Sequence, residues 1–171
     1  MATGQEPGNP IPAMRTYQPV EHPVVVIGPQ YLAQYPVELV VSSKLLTLGE
    51  NDFKVSDING TNIFQVKSKL LTLHDRRFMK DAAGNSLVNL RQKGEVPDFK
   101  VKGGYGESSC SILLGDSNTM LAQMHRLHSL KTMILDSDSF GVTVYPNVDY
   151  AFIVALVVIL DEINADRSGE D

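Results

Sequence analysis

The chain has one cysteine, Cys110, and no tryptophan in 171 residues. A single thiol cannot form an internal disulfide, so the fold must hold by packing alone, and a reducing compartment suits it. Neither sign of charge dominates: 15 basic and 20 acidic residues leave a net charge of −5. No global field therefore draws the chain to nucleic acid or to anionic lipid, and such binding needs a local basic patch. No apolar run reaches the roughly 20 residues that span a bilayer. The first residues lack a basic stretch followed by an apolar one, so no secretory signal is expected, and Ala2 excludes myristoylation. A cytoplasmic or nucleocytoplasmic protein is the expectation. Walker, dinucleotide, nucleophile-elbow and zinc-helix motifs are also missing.

Proline is scarce everywhere except at the start. Seven of nine prolines fall in residues 1–36. Proline blocks helix interiors and central strands, so 1–36 is expected as a disordered arm. Within it, Val24-Val25-Val26-Ile27 is a short apolar run able to dock on a domain. Residues 37–165 are expected to form that domain, and 166–171 a disordered tail.

Inside the domain, apolar and alternating segments lie between turn clusters. Strands are expected over 39–48, 53–56, 63–66, 71–79, 86–91, 99–102, 111–114, 120–128 and 140–145, although 120–128 also suits an amphipathic helix. Asn59-Gly60 suggests a type I′ hairpin, which needs positive φ at both central positions. The pentapeptide Lys44-Leu45-Leu46-Thr47-Leu48 recurs at residues 69–73 and hints at a duplicated β unit. Residues 151–160 contain no polar side chain. A helix apolar on all sides has no face for water and must be enclosed. It is expected over 148–164, with Asn147 as N-cap and Asp149 complementing the helix dipole.

Several segments carry a family resemblance. Leu73-His74-Asp75-Arg76-Arg77, residues 86–93, Ala122-Gln123-Met124-His125-Arg126 and residues 142–152 resemble the plant LURP-one-related family. That family is similar in fold to the tubby C-terminal domain and the phospholipid scramblases. The resemblance implies a mainly β, α+β fold: a tubby C-terminal-like antiparallel β-barrel around a buried hydrophobic C-terminal helix. Family barrels usually have twelve strands. Here Lys93-Gly94-Glu95-Val96-Pro97 joins two segments that relatives separate by about three strands, so the barrel is expected to lack some strands. Open edges would then invite self-association.

The resemblance also implies a noncatalytic binding or scaffold protein without a cofactor. Members are implicated in plant basal defence, and the superfamily includes membrane-tethered transcription factors. The alternative is a scramblase-like phospholipid or phosphoinositide binder, peripheral at the plasma membrane. Partners are then an unknown protein or an anionic lipid head group.

Candidate sites are few. His74-Asp75-Arg76-Arg77 with Lys80 is the densest polar cluster. Arg76, Arg77 and Lys80 are candidates for a phosphate or lipid head group, since Arg pairs well with phosphate oxygens. Their bland reading is a solvent-facing strand. Asp136 and Asp138 resemble the scramblase segment proposed to bind calcium. As an EF-hand loop, however, the fifth and twelfth positions would be Phe140 and Asn147, and two carboxylates alone hold calcium poorly. His125 and His128 lack further metal ligands in sequence. Cys110 sits in an apolar strand, where a structural thiol is expected.

Overall fold

In a computed structural model the described residues are 17–45, 51–68, 77–90, 99–103, 109–115, 117–126 and 139–168. They form nine strands: β1 (Val37–Leu45), β2 (Asn51–Asp57), β3 (Asn62–Ser68), β4 (Arg77–Asp81), β5 (Ser86–Leu90), β6 (Phe99–Lys102), β7 (Ser109–Leu114), β8 (Met120–Arg126) and β9 (Ser139–Val144). One helix follows, α1 (Tyr150–Ser168). All strand pairs are antiparallel, in the order β5-β4-β3-β2-β1-β9-β8-β7-β6. The α+β class is as the residues suggest. The barrel is not closed: β5 and β6 stand at opposite ends of the order, with no ladder between them among the described residues.

Alternation builds the core. Leu39, Val142, Met124 and Cys110 are register partners across β1, β9, β8 and β7, and all four are buried. Val41, Val55 and Phe64 make a matching row across β1, β2 and β3. Successive strand residues point to opposite faces, so one buried residue in two gives the sheet a single apolar side. Ile153, Val154, Val157 and Val158 of α1 are fully buried against it. Each such side chain contributes about 1.5–3 kcal/mol of transfer free energy. Packing therefore supports a valine-rich segment of modest intrinsic helicity.

The hairpin after β2 is not a type I′ turn. Gly60 has φ 86°, but Asn59 is not left-handed. The Gly60 N–H donates to the Asp57 carbonyl, and one Asp57 carboxylate oxygen accepts from the N–H groups of Asn59 and Thr61. Those bonds favour a wider loop with glycine at its left-handed position. The turn after β4 repeats the device. Gly84 (φ 89°) donates to the Asp81 carbonyl, and the Asp81 carboxylate takes the Asn85 N–H. The two turns lie 24 residues apart, close to the pentapeptide spacing.

The arm is docked from Tyr17 onward. Val20 N–H donates to the Pro146 carbonyl, Val24 N–H to Asn147, and Asn147 N–H to Ala33. Val24 and Val148 form a parallel bridge. Expected disorder gives way over residues 17–36 because this segment satisfies its backbone on the entry to α1. Tyr31, on a 3-10 turn (Pro29–Tyr31), meets Phe64 and Tyr150 edge-on. The arm thus plugs the sheet at the N-terminal end of the helix.

Candidate functional site

Asp149 is the one fully buried charged side chain among the described residues. One carboxylate oxygen accepts from the N–H groups of Val26 (3.1 Å), Ile27 (2.7 Å) and Gly28 (3.0 Å). The other accepts from Phe152 N–H at 3.0 Å. Three successive amides converging on an anion form a nest, while the bond to the third residue onward is an N-cap. Asp149 therefore caps α1, and Asn147 does not. Asn147 takes the left-handed conformation (φ 67°), and its side chain donates to the Val20 carbonyl. All four bonds are internal, so this buried acid is a lock for the arm.

Cys110 is 3% exposed in β7, and burial pushes its thiol up from the ordinary value. A thiol held neutral is a poor nucleophile. His125 in β8 lies directly across from Gly141 in β9. A Cβ at position 141 would collide with the His125 ring. Glycine leaves the room over which the imidazole lies, covering an otherwise bare stretch of central strand. No group of three or more metal-ligating side chains occurs among the described residues.

The outward face of β2, β3 and β4 carries the described basic cluster. Lys54 pairs with Gln65, and Gln65 with Lys80. Lys67 lies two residues along β3 from Gln65. Lys54, Gln65 and Lys67 are exposed, and Lys80 is half-buried. Strands lie about 4.8 Å apart, which puts the backbones at Lys54 and Lys80 about 10 Å apart. Four-carbon stems can bring two ammonium groups together across that distance. Asp52 is the acidic residue at the matching parity on β2, two positions from Lys54.

Of the residues singled out from sequence, Arg76, Asp136, Asp138 and His128 lie outside the described residues. Arg77 opens β4, paired with Ser68 and Leu90. Lys54 and Lys67 were missed. The signal was available in the alternation of Phe53-Lys54-Val55 and Phe64-Gln65-Val66-Lys67, but only the register brings them beside Lys80.

The LURP-one-related family model matches residues 37–96 and 91–161. Protein LURP-one-related 15 of Arabidopsis thaliana is 35% identical over 83% of this chain and 87% of its own length. LURP-one-related 10 of the same plant is 31% identical over 86% of this chain and the whole of its own. Protein LURP1 is 28% identical over 84% of this chain and 92% of its own. An X-ray structure of an Arabidopsis thaliana protein superimposes with a TM-score of 0.65 at 35% identity, covering 82% of this chain and 98% of that one. Family matches over most of the chain, carried through sheet and helix alike, make it a member of the LURP-one-related family.

Proposed function

We propose that this chain is a noncatalytic binding module that recognises phosphate-bearing lipid head groups through the outward face of β2–β4. The observation that carries the reading is the convergence of Lys54, Lys67 and Lys80 around Gln65. Buried polar chemistry supports it indirectly. The Asp149 carboxylate is engaged by four backbone donors, and Cys110 is shielded, so recognition falls to the surface. A local basic face overcomes a net charge of −5 only at short range, because salt screens beyond about 8–10 Å. Juxtaposed lysines contribute about 1 kcal/mol each at an anionic membrane surface.

The scramblase-like alternative needs α1 in the bilayer. No described helix is long and apolar enough to cross one, and extraction would break the Asp149 lock. Peripheral attachment to the plasma membrane from a cytoplasmic or nucleocytoplasmic pool fits the proposal. A role in plant basal defence, and kinship with membrane-tethered tubby-like transcription factors, are proposed on the family resemblance.

Vesicle flotation tests the reading. The protein should float with phosphatidylcholine vesicles containing a phosphoinositide, not with phosphatidylcholine alone. Lys54→Glu/Lys67→Glu/Lys80→Glu, with an unchanged circular dichroism spectrum, should abolish flotation. Absence of flotation by the unaltered chain would overturn the proposal.

A further inference from the structure

The match to LURP-one-related 15 runs over 188 aligned positions but takes in 83% of this chain, or about 142 of its 171 residues. About 46 positions of the relative therefore have no counterpart here. LURP-one-related 10 gives about 47 by the same comparison, from 194 positions and 86%. The family match breaks into two pieces that meet at 91–96, so the missing block belongs between β5 and β6. About 46 residues suffice for three or four strands with their turns.

The sheet is open at the same place. Among the described residues β5 and β6 are its two ends, and the outer side of an end strand offers N–H and C=O groups for pairing. Three absent strands would fill about 19 Å at the usual strand spacing.

One side of the helix is less deeply covered than the other. Phe152, Leu156, Ile159 and Leu160 are half-buried, while Ile153, Val154, Val157 and Val158 are fully covered. The four recur at helical spacing and make one stripe. It starts beside β6, where Phe152 meets Phe99 with ring centroids 4.8 Å apart. On the same edge strand Val101 is 41% exposed.

We propose that this opening is a docking site for an extended, strand-forming segment of another polypeptide chain. Its backbone pairs with the edges of β5 and β6, and apolar side chains at alternate positions cover the α1 stripe. The mode is strand addition, in which main-chain bonds give affinity and alternate side chains give specificity. It is independent of the lysine face, which lies on the other side of the sheet.

The probe is the block of LURP-one-related 15 that lacks a counterpart here, made as a separate polypeptide and added to the full chain. A one-to-one complex should form. The melting temperature should rise by several degrees, and amides of β5 and β6 should exchange more slowly. Leu156→Lys, checked for fold by circular dichroism, should weaken binding at least tenfold, and Lys54→Glu should leave it unchanged. No complex with the unaltered chain, or binding indifferent to Leu156→Lys, would overturn the proposal. A dimer of this chain that persists against excess block would do so too, because a second copy would then fill the opening.

Discussion

The backbone N–H of Ile27 donates to a carboxylate oxygen of Asp149 at 2.7 Å, across 122 residues of chain. The same side chain caps α1 through Phe152. Arm docking and helix initiation thus share one residue.

Asp149→Ala should remove both. Losing an N-cap costs about 0.5–2 kcal/mol, and stranding buried donors costs about 1–3 kcal/mol each. A loss on the order of 3 kcal/mol in urea unfolding is expected, with residues 17–33 becoming sensitive to protease. Asp149→Asn keeps one acceptor oxygen and should lose less. A change below about 0.5 kcal/mol for alanine, the scale of an ordinary surface substitution, would contradict the lock.

Gly141 and His125 form a second pair with an asymmetric prediction. Gly141→Ala forces the imidazole from its place and should cost about 1–3 kcal/mol. In Gly141→Ala/His125→Ala the obstacle is gone, so the double variant should be more stable than the sum of the single effects allows. Strict additivity in the double-mutant cycle would show that the ring does not set the glycine.

Burial raises the Cys110 thiol above its usual range. The native protein should react with a maleimide far more slowly than the unfolded chain at the same pH. A raised folded value means the neutral thiol is favoured by folding. This contribution is complete below the unfolded pKa, near 9.0, and is lost as pH rises through the folded one. Equal native and unfolded labelling rates would place Cys110 at the surface.

Hydrogen bonds to the backbone of Thr61, above all, hold the Asp57 carboxyl below its ordinary value, and Asn85 does the same for Asp81, side chain first. Here the folded pKa is lowered. The turns should gain from ionisation above the unfolded value, near 3.8, and lose it as pH falls through the folded one. Carboxyl carbon shifts followed by NMR should give Asp57 and Asp81 lower titration midpoints in the folded protein than in the urea-unfolded chain. Titration of either group at or above the ordinary value would contradict the turn geometry.

Much of the fold was legible because period and length speak locally. A run of ten apolar residues between Tyr150 and Asp161 could only be an enclosed helix, and α1 covers it. Alternation placed β6 (Phe99–Lys102) to the residue, whereas residues 120–128 also suited an amphipathic helix and the structure makes Met120–Arg126 a strand. The cap was misplaced at Asn147 because its true owner is chosen by amides from residues 26–28, which no local pattern announces. Proline content suggested a free arm, yet proline does not forbid docking where the remaining amides find one buried acceptor. The lysine face was half visible. Lys80 stood out near the arginines, whereas Lys54 and Lys67 joined it only through strand register.

The central claim is that α1 is wrapped by the sheet and locked by the arm. Hydrogen–deuterium exchange along the helix tests it most directly. Amides of residues 153–158 should be among the slowest in the protein, and Asp149→Ala should accelerate the first turns of α1 together with residues 24–28. Fast exchange over 153–158 in the unaltered chain would contradict the account.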